Sequence, residues 1–180
     1  MGRKKLLTSK EIEIILHRLA CQLIENHNDF SNTVLIGLQP RGSFLAKRLA
    51  TVLEKDYQIK NLQLGLLDIT FYRDDFRRRD KPLEATATQI DFLIENKKVV
   101  LIDDVLFSGR SVRAALTALQ SYGRPENIEL LVLIDRRFSR HLPIQPNYRG
   151  RQVDAINLEK VKVFWKETHK EDIVYLVEDK

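Results

Sequence analysis

Two adjacent acids, Asp103 and Asp104, close the apolar run Val99-Val100-Leu101-Ile102 and lead directly into Val105-Leu106-Phe107-Ser108-Gly109-Arg110-Ser111. A buried strand that runs into a short turn and then into the helix-like stretch Ser111 to Tyr122 gathers backbone N–H groups and the positive end of a helix around one point. That point suits a phosphate monoester. Ser108 and Ser111 add hydroxyl donors, and Gly109 lets the backbone approach the ligand. The two carboxylates stand at the carboxyl end of the strand, where α/β sheets bind ligands, and they suit the hydroxyls of a ribose. The plainer alternative, a strand-to-helix turn with acids as ordinary helix starters, uses the same residue types.

The surrounding elements must hold this loop in place. Thr8 and Glu11 form a capping-box pattern, after which Ile12, Ile15, Leu16, Leu19 and Leu23 recur at helical spacing up to about Asn26. Val34 to Leu38 reads as a buried strand, Gln39-Pro40-Arg41-Gly42 as a turn, and Leu45, Leu49 and Leu53 as the inner face of a second helix. Leu62 to Tyr72 reads as a strand broken at Gly65, and the polar stretch 73–87 as a mobile loop. In the third helix Val112, Ala115, Leu116 and Leu119 share a face, with Gly123 as C-cap before Pro125. Ile128 to Ile134, Val161 to Trp165 and Ile173 to Val177 are further strands. Strands alternating with helices imply an α/β fold with a mostly parallel central sheet covered on both faces.

The 180 residues, 43% hydrophobic and 31% charged, suit a single domain spanning 1–180. No apolar run approaches the ~18 residues of a membrane span, so a membrane partner is not expected. Cys21 is the single cysteine, which excludes an internal disulfide and points to reducing cytoplasm. The net charge of +5 fits polyanionic ligands, either a pyrophosphorylated sugar or RNA. The four histidines, His17, His27, His141 and His169, are too scattered to suggest zinc.

The segment from Val99 to Ser111 resembles the 5-phosphoribosyl 1-pyrophosphate (PRPP) motif of type I phosphoribosyltransferases. Purine enzymes of that fold carry a third acid where this chain has Phe107, and a phenyl ring cannot serve a purine ring nitrogen. Asp-Asp-Val-Leu-aromatic-hydroxyl-Gly-Arg-hydroxyl is instead similar to the PyrR family, pyrimidine operon regulators that double as uracil phosphoribosyltransferases. The likeness extends to Ile36-Gly37 through Arg41-Gly42, to Asp68 through Asp75, to Leu133-Ile134-Asp135-Arg136 and to Leu142-Pro143-Ile144.

The resemblance implies the type I phosphoribosyltransferase fold with a flexible hood, and the reaction of uracil with PRPP to give UMP and pyrophosphate. It assigns Arg41, Asp103 and Asp104 as catalytic. PRPP falls to Arg41, Gly42, Arg73, Asp103, Asp104, Val105, Leu106, Phe107, Ser108, Gly109, Arg110 and Ser111, and the base to Asp135 and Arg136. Mg²⁺ belongs with the diphosphate, held by Asp103 and Asp104 directly or through water. Related transferases often hold a cis peptide in the pyrophosphate loop, and the matching bond is Gln39–Pro40.

The family also implies leader RNA as a partner and a homodimer or homotetramer. His17, Arg18, Arg137, Arg140, Arg149 and Arg151 are the candidate RNA contacts, the last four in an acid-poor stretch. Asp135-Arg136-Arg137-Phe138-Ser139-Arg140-His141 departs from the family's usual Asp-Arg-Gly-His-Arg-Glu, being one residue longer. First-helix positions typically Thr and His in RNA-binding members are His17 and Cys21 here. Three functions therefore stay open: uracil transfer with or without RNA regulation, a weakly catalytic or non-catalytic nucleotide-sensing attenuator, and transfer to another base.

Overall fold

A computed structural model describes residues 3–74, 85–155 and 159–178. Its element order is β1 (Arg3–Leu7), α1 (Ser9–His27), β2 (Thr33–Leu38), α2 (Gly42–Lys55), β3 (Gln63–Leu67), β4 (Lys98–Leu106), α3 (Arg110–Leu119), β5 (Asn127–Arg137), β6 (Tyr148–Asp154), β7 (Glu159–Phe164) and β8 (Ile173–Glu178), with single 3-10 turns at Thr70–Tyr72 and Gln120–Tyr122. The capping box forms as expected: Glu11 N–H donates to Thr8 Oγ1 at 3.3 Å and Thr8 N–H donates to the Glu11 carboxylate at 2.8 Å. Satisfying two orphan donors at once fixes where α1 begins.

Five parallel strands lie in the order β3-β2-β4-β5-β6. The chain winds from β2 toward β3 on one side and from β4 toward β6 on the other, so the order reverses between β2 and β4. Loops leaving the carboxyl ends of two strands at such a reversal diverge and leave a crevice between them. Here those loops are 39–41, entering α2, and 107–109, entering α3. β2 is buried along its whole length, as a strand covered on both faces must be.

A smaller antiparallel sheet, β1-β8-β7, is joined to α1 and α2 by one apolar cluster. Leu6, Leu7, Val163, Trp165, Val174 and Leu176 from the small sheet meet Leu16, Leu19, Leu45 and Leu49 from the helices. Across the large sheet a second cluster places Val112, Ala115 and Leu119 of α3 against Val99, Leu101 and Val132. Arg48 on α2 clamps the small sheet, with Asp172 at 2.7 and 2.8 Å, Glu167 at 2.8 and 2.9 Å, and the Trp165 ring 4.7 Å beneath its guanidinium.

Four elements differ from the sequence reading. The strand expected over Leu62 to Tyr72 ends at Leu67, and Gly65 does not break it but pairs in register with Ile36. The end is set by Asp68, whose side chain accepts the Thr70 N–H at 2.6 Å and turns the chain into the Thr70–Tyr72 helical turn. The third helix tightens to 3-10 geometry after Leu119 rather than running unbroken to Tyr122, and Leu116 on its expected inner face is partly exposed. β1 and β6 were not expected. Both lie at a sheet edge, where charged residues such as Arg3, Lys4, Arg149 and Arg151 hide the alternation that marks a strand. Most of the expected loop over 73–87 falls outside the described residues.

Candidate active site

The two diverging loops bring the PRPP candidates together. Gly42 opens α2 so close to β4 that a side-chain carbon there would stand 2.6 Å from the Ile102 carbonyl and 2.9 Å from Asp103 Cα. Only glycine fits that approach, and it brings Arg41 alongside the acids: Arg41 Nε lies 3.6 Å from Asp104 Oδ2. The preceding Gln39–Pro40 bond is cis. The loop is fastened by Gln39 N–H donating to Leu67 O at 2.9 Å and by Ser43 Oγ donating to Pro40 O at 2.6 Å. The Arg41 side chain itself is 58% exposed and free to meet a ligand in the crevice.

Asp104 is buried, and its Oδ2 has no hydrogen-bond partner among the described residues. Asp103 Oδ1 accepts the Asp104 N–H at 2.9 Å. Burial pushes the Asp103 carboxyl well above the usual carboxylate range, and the neighbouring Asp104 pushes it the same way. Burial also raises Asp104, with Arg41 pulling against it. A buried carboxylate oxygen at the mouth of a crevice with no hydrogen bond, only the Arg41 ion pair at 3.6 Å, is an acceptor open to a donor or a cation. Two adjacent hard oxygen donors fit Mg²⁺ of the kind that keeps most of its shell from substrate oxygens and water. Among the described residues no group of three or more His, Cys, Asp or Glu side chains gathers to hold a metal without such help.

Beyond the acids, Val105 and Leu106 finish β4 and the turn at Phe107, Ser108 and Gly109 enters α3. Gly109 is the N-cap in the left-handed region at φ 89° and supplies no side chain to cap the helix. Ser108, buried, is the nearest substitute, its Oγ 3.5 Å from the Arg110 N–H. The first-turn N–H groups of α3 are therefore left for an anion. Arg73 reaches the same place from the other side, Nη1 donating to Ser111 Oγ at 2.9 Å.

On the base side the two candidates part company. Asp135 is buried and ion-paired with Arg140 and, at 3.8 Å, with Arg149. Arg136 is buried with its guanidinium carbon 4.0 Å from the centroid of Phe107. Its Nη2 donates to Glu159 O at 2.7 Å, while Nε is buried without a partner among the described residues. Burial lowers the Arg136 pKa from its ordinary value.

Several of the RNA candidates also make contacts within the protein, and Arg137, Arg140 and Arg149 line one cavity. Arg18 donates to the carbonyls of Arg149 and Gly150, Arg151 donates to Leu6 O at 2.5 Å, and Arg137 pairs with Asp154 at 2.5 Å. Arg140 is a brace, donating to the carbonyls of Leu106, Phe107, Arg136 and Ile144. His17 lies 3.9 Å from Asp56 and is partly exposed, and Arg149 is exposed. Residues that sequence reasoning missed include Arg140 as the strut of the phosphate turn, Asp68 as the tie to Thr70, Thr86 and Thr88, and Arg113. Arg140 gives no local signal, because the turn it braces lies more than thirty positions back in the chain.

The phosphoribosyl transferase domain family matches residues 2–171. A bifunctional protein PyrR of Gloeothece citriformis is 45% identical over 173 residues, 96% of each chain. One of Caldicellulosiruptor bescii is 45% identical over 160 residues, 89% of this chain and 87% of the other. Among solved structures, a hypoxanthine phosphoribosyltransferase of Trypanosoma cruzi superposes with a TM-score of 0.72 at 18% identity, covering 98% of this chain and 97% of its own. That likeness shows the fold. Among the described residues no helix is long and apolar enough to cross a membrane.

Proposed function

Because the chain belongs to the PyrR family of phosphoribosyltransferases, we propose that it transfers the phosphoribosyl group of PRPP to uracil, giving UMP and pyrophosphate. The observation that carries this reading is the convergence, at the β2/β4 reversal, of an uncapped helix N-terminus, two adjacent acids and the Arg41 loop.

The 5-phosphate of PRPP sits on the Ser108–Ser111 N–H groups and hydroxyls. Asp103 and Asp104 hold the ribose hydroxyls, Asp104 through the oxygen that makes no hydrogen bond among the described residues. Arg41 meets the diphosphate, whose charge grows as the bond to the anomeric carbon breaks. A guanidinium aimed at developing charge lowers the barrier more than it tightens binding. Uracil N1 attacks the electron-poor anomeric carbon, and the protein's part is position and charge rather than a covalent intermediate. Asp103 and Asp104 would hold Mg²⁺ directly or through water, and when bound it would neutralise the charge of the leaving diphosphate.

Uracil stacks on the partly exposed face of Phe107, and the Arg136 guanidinium holds that ring from its other face. Asp135, engaged by two arginines, orders this corner from behind. The reading includes a homodimer or homotetramer working in cytoplasm. The family supports a second activity, leader RNA binding, with Arg18, Arg137, Arg149 and Arg151 exposed and His17 partly exposed.

The test is to incubate the protein with PRPP, Mg²⁺ and each common nucleobase in turn and to follow nucleoside monophosphate and pyrophosphate together. UMP from uracil alone supports the proposal. Product with a purine base only places the chain with transferases for another base. PRPP or UMP binding without product from any base leaves a nucleotide-sensing attenuator, to be followed by RNA titrations across salt concentrations.

A further inference from the structure

Arg73 and Asp74 are neighbours in sequence, but their side chains do different things. Arg73 reaches Ser111 at the mouth of the phosphate loop. Asp74 turns onto the flank of α3, where it accepts from Arg110 Nε and Nη2 at 2.9 and 2.5 Å and from Arg113 Nη2. Arg110 and Arg113 are three residues apart and so adjacent on one helix face. Together they form a socket for a single carboxylate. Hydrogen bonds from Arg110, with the added charge of Arg113, hold the Asp74 carboxyl below its ordinary range.

The chain leading to Asp74 is tied as well. Asp68 accepts from Thr70 N–H at 2.6 Å and from Thr86 N–H, and its own N–H donates to Thr88 Oγ1 at 3.1 Å. The segment 68–74 is thus anchored at one end by Asp68 and at the other by α3. Arg73 stands between the anchors.

We propose that Asp74 is a positioning residue: docked on Arg110 and Arg113, it fixes the backbone so that the Arg73 guanidinium already stands at the phosphate loop when PRPP arrives. It deepens the PRPP reading above and rests on it. Asp74 touches no substrate. Its partners are partly exposed, and ion pairs of that kind contribute little to global stability. What the pairing supplies is order in a side chain that would otherwise have to be ordered on binding. The opposite role, in which Asp74 occupies Arg110 and keeps phosphate off it, makes the opposite prediction for PRPP affinity.

The experiment is a double-mutant cycle. PRPP KM and kcat, PRPP affinity by calorimetry, and melting temperature are measured for the wild type, Asp74→Ala, Arg73→Ala and the double variant, with Asp74→Glu as the conservative change. The expected result is a PRPP KM and dissociation constant about tenfold higher in Asp74→Ala, the size of one lost charge-assisted contact, with melting temperature unchanged. Asp74→Glu recovers most of the loss, and Asp74→Ala adds nothing once Arg73 is alanine. Unchanged or tighter PRPP binding in Asp74→Ala, penalties that multiply in the double variant, or a fall in melting temperature with equal losses in all constants would each overturn the proposal. The calorimetric cycle needs no turnover, so a wild type that binds PRPP but makes no UMP counts against uracil transfer and leaves Asp74 decided separately.

Discussion

The Arg136 guanidinium carbon lies 4.0 Å from the centroid of the Phe107 ring, joining the end of β5 to the phosphate turn that follows β4. The pair makes one platform from two loops: a partly exposed aromatic face backed by a buried cation with an unpartnered Nε. Cation–π contact at a desolvated site contributes on the order of 1–2 kcal/mol. It holds the ring flat and the guanidinium in place.

Phe107→Ala removes the ring on which the base stacks and is expected to raise the uracil KM by roughly five- to thirtyfold, the factor for about 1–2 kcal/mol of base–aromatic stacking, with PRPP affinity within about twofold. Steady-state kinetics with each substrate varied in turn checks it. A change in PRPP KM with none for uracil would place Phe107 in the phosphate turn alone.

Arg41 presents a second kinetic signature. Because its side chain is largely exposed and only 3.6 Å from Asp104, its removal should leave the fold intact. Arg41→Ala is expected to lower kcat about a hundredfold, the usual effect of losing a donor to developing charge, while PRPP affinity changes by less than tenfold. Pre-steady-state rates compared with calorimetric PRPP affinities separate the two effects.

Away from the crevice, Arg48 has the most to lose. Although burial opposes its charge, hydrogen bonds to Asp172 and Glu167 hold its pKa above the ordinary arginine value. Those acids are held below theirs by the same contacts, against the desolvation that opposes them. Arg48→Ala leaves Asp172 short of its partner and uncovers Trp165. The expected cost is about 2 kcal/mol, between the limits for exposed and buried pairs, and chemical denaturation measures it.

Acid should destabilise the protein in two stages. His27 is buried between Thr33 Oγ1 at 3.1 Å and Tyr148 and Glu129 at 3.2 and 3.1 Å, and burial lowers its pKa despite the pull of Glu129. The folded state refuses a proton that the unfolded chain accepts near pH 6.5. The His27 contribution is therefore complete above about pH 6.5 and is lost as pH falls through the lowered folded value. The depressed Asp172 and Glu167 contributions persist to about pH 4 and are lost below it. Raised Asp103 and Asp104 slope the opposite way in both proteins, so the His27 signature is a difference: wild-type melting temperature relative to His27→Gln is expected to be constant above about pH 6.5 and to fall below it.

The phosphate turn and the Arg41 loop are legible because their chemistry is local: a strand, a few small or charged residues and a helix start lie within thirteen positions from Val99 to Ser111, and the same order recurs from Val34 to Gly42. The base corner was half legible. Arg136 and Asp135 alternate along β5, and nothing in their adjacency says that one meets Phe107 while the other is held by Arg140 and Arg149. The acid-poor run from Arg136 to Arg151 reads as a polyanion surface, yet carbonyl groups and Asp154 engage much of it. Long-range partners of that kind leave no spacing in the sequence. β1 and β6 escaped because edge strands carry charges that interrupt their alternation.

The most direct measurement follows radiolabelled uracil into UMP with PRPP and Mg²⁺, for the wild type beside Asp104→Asn. The expected result is UMP and pyrophosphate in equal amounts from the wild type, and at least a hundredfold slower conversion when the buried carboxylate beside Arg41 is replaced by an amide. No label in UMP from the wild type, or equal rates from both proteins, would contradict it.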